Sequence, residues 1–485
     1  MSAPAAERSL LARARPLLLA RLAAAAISFA IPLALARRFR QDEYGTYKLL
    51  LLVANTLGYV LPMGMAQSLY YFVPRLSARR ALLCQTLLFL LGAGLLALAG
   101  VNALSPWLAR ALNNPALEGD APRLGLYMLG LLGSMPLEIV LTARGQISLA
   151  ALTYLASDLL KAAAMVLPAL LGWGLDGVLD GLCAFAIARL IACWLALGRG
   201  EAGPAFDRAV LARQLRYALP FGAAMLLSVP QGYFHQFLVS ARLDAASFAV
   251  YSVGLLQLPV IDLLYTPTTE MLMIRIAELE RAGAPQAAAA VFREAMAHLA
   301  LAFVPLTALL LAVAPELVFA LFTARYAAAV PIFRVASLGV LLACLPVDGA
   351  LRARDQTRHL FASYLLKAAL TVPLALLLVS RFGMMGGVAS WLLAEVAGKL
   401  ALLWRVPRAL GVRPGALLPF AQLARAAAAS AAALGGVFAA RALLGPGAPP
   451  PLTLVVASGA FGVAYVAALV AVGADLPFKA LLGRG

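Results

Sequence analysis

One stretch of the chain decides the fold class. It runs from Phe39 to Arg75 and reads FRQDEYGTYKLLLLVANTLGYVLPMGMAQSLYYFVPR. Its middle, Leu49–Val73, contains no charged residue, and charged residues flank it on both sides. Because about 20 consecutive apolar residues suffice for a helix to cross a bilayer, this stretch predicts a membrane span.

The composition extends that prediction to the whole chain. Of the 485 residues, 63% are hydrophobic and 13% are charged, against about 45–50% and 25% in soluble proteins. These values exclude a soluble enzyme and a disordered chain. The four cysteines all fall within apolar runs, so they do not predict a disulfide framework. Alanine and leucine dominate without strand-type alternation, and we therefore predict an all-α polytopic membrane protein with about 14 transmembrane helices.

The basic residues of the loops predict an orientation. The net charge is +17, from 39 Lys and Arg against 22 Asp and Glu. With the N-terminus inside, the inner segments hold 22 of the basic residues, the outer loops hold ten and the spans hold seven. Cytoplasmic loops carry an excess of Lys and Arg, so both termini are expected in the cytoplasm.

Three short patterns recur at nearly one offset and predict an internal repeat. Tyr44–Tyr47 resembles Phe248–Tyr251, Lys161 follows two leucines as Lys367 does, and Arg189-Leu190 with Trp194 resembles Lys399-Leu400 with Trp404. Six spans in each copy make the two copies parallel, related by a pseudo-two-fold axis along the membrane normal. The predicted domains are an N-lobe (1–199), a cytoplasmic linker (200–216), a C-lobe (217–404) and a C-terminal helix pair (405–485).

The opening stretch also carries a family resemblance. An acidic residue, an aromatic residue, Gly45 and Tyr47 lead into the span, and Gly64, Ser68, aromatic residues and Pro74-Arg75 lead out of it. This pattern resembles the multidrug/oligosaccharidyl-lipid/polysaccharide (MOP) superfamily, above all the bacterial O-antigen flippases. The resemblance implies a MATE-like fold and a flippase for undecaprenyl-diphosphate-linked oligosaccharides of O-antigen or exopolysaccharide. Such a protein works in the inner membrane by alternating access, without a catalytic centre.

Charges inside the predicted spans are the candidate functional residues, since an intramembrane charge is costly and commonly functional. Lys399 has Glu395 at i−4 and Lys161 has Asp158 at i−3, which predicts ion pairs within one helix. Arg189, Arg334 and Lys367 lack such a partner. They either pair across helices, for which Glu138 and Asp262 are available, or face a wet cavity.

Basic residues of the spans and of their cytoplasmic ends are predicted to bind the diphosphate. These residues are Arg21, Arg75, Lys161, Arg189, Arg275, Arg334 and Lys367. His235 and Asp262 are the candidates for proton coupling. The alternatives are ion pairs of structural value, ordinary anchoring at the membrane surface, and a hydrogen-bonded core histidine. No motif predicts a metal site, a cofactor or nucleic-acid binding.

Rival functions follow from the same features. A lipid II flippase also fits the predicted span count and an anionic substrate, and a multidrug exporter of the same superfamily fits the repeat. Seven bases against four clear acids within the spans favour an anionic substrate over an organic cation. A polytopic glycosyltransferase is the enzyme alternative, with Asp42-Glu43 in the first outer loop. The expected partners are the lipid-linked oligosaccharide, membrane lipids and a polysaccharide polymerase.

Overall fold

The chain folds into helices throughout the part that the structure describes. A computed structural model describes residues 25–76, 78–197, 203–413 and 417–472, together with residues 23 and 415, and these contain no strand. Inside a bilayer a helix satisfies every backbone hydrogen bond within its own segment, which explains why such an apolar chain forms helices. The predicted all-α polytopic membrane fold is confirmed. Arg21 lies outside the described residues, as do the rest of residues 17–22 and residue 24 at the start of the first predicted span.

The chain divides into two compact units. Unit 1 comprises Met1–Val229 and Ser240–Ala249, and unit 2 comprises Pro230–Val239 and Val250–Gly485. The predicted domain boundaries at residues 199, 216 and 404 stay a prediction.

The helices are numbered in chain order. Those of unit 1 are α1 (residues 25–38), α2 (Gln41–Val60), α3 (Met65–Phe72), α4 (Arg79–Ala103), α5 (Ser105–Ala111), α6 (Ala116–Ser134), α7 (Pro136–Ala143), α8 (Ile147–Leu170) and α9 (Gly174–Leu197). Two helices contribute to both units, α10 (Arg208–Arg242) and α11 (Ala245–Gly254). Those of unit 2 are α12 (Pro259–Arg281), α13 (Pro285–Ala312), α14 (Ala314–Phe322), α15 (Ala329–Leu338), α16 (Val347–Ala353), α17 (Thr357–Leu410), α18 (Phe420–Leu444) and α19 (Pro450–Ala471).

The described residues contain nine helices that are long and apolar enough to cross a membrane. Two further pairs of helices, α2 with α3 and α11 with α12, bend by 46° and 45° and raise the number to eleven if each pair is one span. The first bend interrupts the predicted span Leu49–Val73 because Pro62 lacks an N–H and Gly64 adopts a left-handed φ of 77°. The count of fourteen spans stays a prediction.

The longest helix, α17, is a hairpin of two predicted spans. Gly383 has φ 55° and ψ −130°, which breaks the helical backbone. The Ser363 hydroxyl donates a hydrogen bond to the Gly398 carbonyl at 3.1 Å, across 35 residues of sequence. In a straight helix those residues would stand about 50 Å apart. The two arms of α17 therefore run antiparallel, as predicted for the eleventh and twelfth spans.

The C-terminal helices α18 and α19 form a pair that is attached to unit 2. Ala433 and Val437 of α18 pack with Phe461 of α19 and with Val313 in one buried apolar cluster. An ion pair supplements this packing, because the Arg441 guanidinium binds both carboxylate oxygens of Glu316 at 2.7 and 2.8 Å. The pair is therefore held by both apolar burial and charge.

Gly45 of the opening stretch lies where two backbones meet. A Cβ atom at this position would collide with the backbone carbonyl of Ala245, also in unit 1. The neighbouring Thr46 hydroxyl accepts a hydrogen bond from Asn114 at 2.9 Å. The glycine of this motif is thus required by close approach and not by an unusual φ.

Gly45→Ala tests this close approach. Alanine is the better helix former, so at an open position it stabilises a helix. Here the clash with Ala245 is expected to destabilise the folded protein by about 1–3 kcal/mol, measured as a lower melting temperature in detergent. Gly58→Ala is the matched control in the same helix, since nothing lies within 4 Å of its added Cβ. Equal melting temperatures for the two variants would contradict the proposed role of Gly45.

Candidate functional site

A buried ion pair joins two helices of unit 1. Glu138 stands in the first turn of α7, where the helix dipole favours a negative charge. Its carboxylate binds Nη2 of Arg189 in α9 at 2.6 Å, with side-chain exposures of 3% and 20%. The Ser157 hydroxyl of α8 lies 3.5 Å from the same carboxylate. Arg189 therefore has a partner across helices, the first of the two alternatives that the sequence left open.

The same arrangement recurs in unit 2. Asp348 stands in the first turn of α16 and its carboxylate binds Nζ of Lys399 in the second arm of α17 at 2.7 Å. The acid and the base are 51 residues apart in both pairs. The hydroxyl of Tyr265 lies within hydrogen-bond distance of both Asp348 and Lys399, at 3.0 and 3.2 Å. The expected pairing of Lys399 with Glu395 is wrong, because Asp348 approaches Lys399 from another helix.

Glu395 pairs instead with Lys367. Its two oxygens lie 3.1 and 3.3 Å from the lysine Nζ, which also lies 5.0 Å from the centre of the Tyr364 ring. Lys367 was expected to lack a partner along its own helix, and the partner comes from the other arm of the hairpin. The break at Gly383 makes this contact possible, because it folds the second arm back onto the first.

The remaining predicted basic residues differ in how their charge is compensated. Lys161 lies 3.8 Å from Asp158 in its own helix, as predicted. Arg275 lies 2.9 Å from Glu278, and both side chains are exposed. The guanidinium of Arg334, an exposed residue, donates to the carbonyl of Leu311 at 3.1 Å. Of these three residues, only Arg334 has no carboxylate partner in the described part of the chain.

Arg275 borders a groove in unit 2. This groove lies between α12 and α13 and has a volume of about 540 Å³. Its ionisable lining residues are Arg275, Glu278, Glu294 and His298, and Met271 is among its apolar residues. Two carboxylates against one arginine make the groove unsuited to an anion.

Arg75 lies beside aromatic rings in unit 1. Its guanidinium carbon is 4.1 Å from the centre of the Tyr71 ring, and its Nη1 donates to the Tyr71 carbonyl at 2.9 Å. Tyr71 stacks in turn on Tyr217 of α10. Like Arg334, Arg75 has no carboxylate partner among the residues that the structure describes.

The two candidates for proton coupling lie in different surroundings. His235 is buried, with its Nδ1 2.6 Å from the Tyr251 hydroxyl and its ring beside Trp391. Asp262 is exposed in the first turn of α12. Within the described part of the chain, its carboxylate forms no ion pair and no hydrogen bond connects it to His235. The coupling role of both residues stays a prediction.

Several residues of these clusters were not predicted from the sequence. They are Tyr217, Tyr265, Glu316, Asp348 and Arg441. Asp348 had a signal, since it stands 210 residues after Glu138, the offset that separates Arg189 from Lys399. Among the described residues, no group of three His, Cys, Asp or Glu side chains is placed so that it could hold a metal ion.

Arg189→Gln tests the pair with Glu138. Removing the base leaves a buried carboxylate uncompensated, so the variant is expected to lose about 3–5 kcal/mol of stability, seen as a lower melting temperature in detergent. The double variant Glu138→Gln, Arg189→Gln should recover most of this loss. Arg425→Gln is the control, because Arg425 is exposed and has no ion pair in the described structure. A single variant as stable as the parent would contradict the pairing.

Comparisons with known proteins agree on the kind of fold. A family model described as a polysaccharide biosynthesis protein matches residues 34–331. No protein of curated function matches the sequence. Among solved structures, the lipid II flippase MurJ in an inward closed conformation has a TM-score of 0.72 at 13% identity, covering 96% of this chain and 99% of its own.

Two transporters of the MOP superfamily are also similar. A multidrug resistance MATE family transporter in an inward-facing conformation has a TM-score of 0.59 at 15% identity, covering 79% of this chain and 94% of its own. A MOP superfamily transporter from Pyrococcus furiosus has a TM-score of 0.54 at 13% identity and covers 82% of this chain and 95% of its own. At these identities the likeness concerns the fold.

Proposed function

Because this chain belongs to the polysaccharide biosynthesis protein family, we propose that it is a flippase for undecaprenyl-diphosphate-linked oligosaccharides. The predicted membership of the MOP superfamily, with its MATE-like fold, is confirmed. The family and its structural neighbours are transporters, so the chain is not an enzyme. The substrate would be a repeat unit of O-antigen or exopolysaccharide, carried across the bacterial inner membrane by alternating access.

The observation that carries the proposal is the family match taken together with the extent of the fold. The family concerns polysaccharide biosynthesis, and the fold of a lipid II flippase extends over 96% of the chain. A flippase of glycan-bearing lipids agrees with both findings. A multidrug exporter agrees with the fold alone.

The distribution of charge indicates which residues meet the anionic substrate first. Arg189, Lys161, Lys367 and Arg275 are each compensated by a carboxylate. A diphosphate therefore has to displace that carboxylate before it can bind them. In the described structure, Arg75 and Arg334 donate hydrogen bonds to carbonyl groups and form no ion pair, and a guanidinium presents a fork of donors suited to phosphate. We assign the first contact with the diphosphate to Arg75, at the predicted cytoplasmic end of its span, and a later contact during transport to Arg334.

The surroundings of the protein complete the proposal. The many apolar helices make it a multi-pass membrane protein. The inner membrane, the cytoplasmic position of both termini and a polysaccharide polymerase as partner are parts of the proposed function. The excess of basic residues in the predicted inner loops supports the orientation.

Transport in vesicles tests the substrate class. The full chain is reconstituted in vesicles that carry one of three probes: a fluorescent polyprenyl-diphosphate-linked trisaccharide, fluorescent lipid II, or ethidium. We expect the trisaccharide to cross the bilayer faster than in protein-free vesicles, and Arg75→Gln and Arg334→Gln to slow it. Transport of lipid II alone would support the lipid II alternative, and transport of ethidium alone the multidrug alternative.

A double variant separates the proposed role of Lys367 in binding the diphosphate from its role in the ion pair with Glu395. Lys367→Gln alone strands Glu395 and is expected to lower the melting temperature. The double variant Lys367→Gln, Glu395→Gln removes both charges and should restore folding, so that its transport rate reports the role of the lysine. If Lys367 binds the diphosphate, this double variant is stable but transports the trisaccharide more slowly. An unchanged transport rate would remove Lys367 from the proposed binding site.

A further inference from the structure

Two exposed tyrosines from different helices stack on each other in unit 1. The rings of Tyr71 in α3 and Tyr217 in α10 have their centres 4.9 Å apart and their planes at 19°. The side chains of Tyr71 and Tyr217 remain 40% and 47% exposed, so this pair is not part of a core. Phe72 contacts both rings edge-on, at 5.0 and 5.5 Å.

Buried hydrogen bonds fix the two helices that carry these rings. Gln214, which is fully buried in α10, donates to the hydroxyl of Ser68 in α3 at 2.8 Å and to that of Thr86 in α4 at 2.7 Å. Gln214 stands one helical turn before Tyr217, and Ser68 one turn before Tyr71. The relative position of the two rings is therefore set by the buried hydrogen bonds of Gln214, one helical turn away.

One arginine contacts a ring of this pair, and a second lies one helical turn away. Arg75 covers one ring at 4.1 Å from its centre. Arg213 is exposed one turn before Tyr217 and on the same face of α10, and its Nε donates to the Ala209 carbonyl at 3.3 Å. Neither guanidinium has a carboxylate partner in the described part of the chain. The group Tyr71, Arg75, Arg213 and Tyr217, here termed the tyrosine platform, is aromatic and net positive.

We propose that the tyrosine platform is a docking site for the glycosyl diphosphate head of the lipid-linked substrate before transport. Tyr71 already contacts Arg75 and Tyr217, so the exposed ring of Tyr217 receives the first sugar. The C–H face of a pyranose packs on such a ring, whose electron-rich face attracts polarised hydrogens. Arg75 and Arg213 bind the diphosphate through charge-assisted hydrogen bonds. This inference rests on the proposed function.

The charge and the stacking together distinguish the platform from aromatic residues that merely anchor a helix at the membrane surface. Anchoring rings contact lipid head groups one by one and need no aromatic partner. Here one tyrosine stacks on another, and Arg75, which has no carboxylate partner among the described residues, covers the Tyr71 ring. A glycosyl diphosphate offers the matching sequence of groups, an apolar sugar face followed by two phosphates.

Binding of two probes separates the sugar contact from the phosphate contact. Farnesyl-diphosphate N-acetylglucosamine and farnesyl diphosphate are titrated against the full chain in nanodiscs. Tyr217→Leu should weaken the glycosylated probe about five- to tenfold, the effect expected for one lost aromatic contact, and leave farnesyl diphosphate within about twofold. Tyr217→Phe should bind both probes as the parent does. Arg75→Gln should weaken both probes to a similar degree.

Controls keep the platform and the proposed function distinguishable. Phe420→Leu removes an exposed ring at the start of α18, on the same predicted side of the membrane, and should change neither affinity. Equal weakening of both probes by Tyr217→Leu, or no weakening, would overturn the platform while vesicle transport by the parent protein still upheld the flippase. Failure of the parent protein both to bind the probes and to transport the trisaccharide would overturn the flippase and the platform together.

Discussion

A charged side chain inside hydrocarbon costs about 2.5–3.5 kcal/mol on insertion scales unless a partner accompanies it, and this cost governs how the helices pack. Several ion pairs in the described part of the chain connect segments that are distant in the sequence, among them Glu138–Arg189, Glu316–Arg441, Asp348–Lys399 and Lys367–Glu395. Each pair restricts which helices can be neighbours, since any other neighbour would leave a charge uncompensated. Apolar packing against lipid-like side chains is far less selective.

The ion pairs of the two halves of the chain agree in one respect and differ in another. Glu138–Arg189 and Asp348–Lys399 occupy equivalent positions in the two copies of the predicted repeat, with the same spacing and with the acid in the first turn of a helix. The second lysine of each copy differs. Lys161 contacts Asp158 in its own helix, whereas Tyr364 stands at the equivalent of Asp158 and Lys367 binds Glu395 across the hairpin. The lysine is thus common to both predicted copies, whereas the carboxylate partner comes from the same helix in one and from the other arm of the hairpin in the other.

The fold class was predictable from the sequence because it depends on average properties, which composition and long apolar runs report directly. The partners of the charges were not, because spacing along the chain reveals only neighbours at i±3 and i±4. For this reason the sequence predicts the partner of Lys161 correctly, predicts Glu395 for Lys399 wrongly, and predicts no helical partner for Lys367. Tyr217 was missed for a similar reason, since its stacking on Tyr71 depends on two helices that a buried glutamine brings together. Bends at Pro62-Met63-Gly64 and before Pro259 likewise divide runs that appear continuous in sequence.

The ion pairs have a consequence for biosynthesis. At about 5–20 residues per second, the 125 residues between Glu316 and Arg441 take about 6–25 s to synthesise. In this pair, as in Glu138–Arg189 and Asp348–Lys399, the carboxyl group emerges from the ribosome before its base. Until its partner is inserted, a carboxyl group can remain in the bilayer as a neutral acid, whereas a guanidinium cannot lose its proton and stays charged. The exception, Lys367 before Glu395, spans only 28 residues within one hairpin, so both arms can enter the membrane together. For Arg189 and Arg441, the order of charges along the chain thus lets the arginine arrive after its carboxylate partner is already in place.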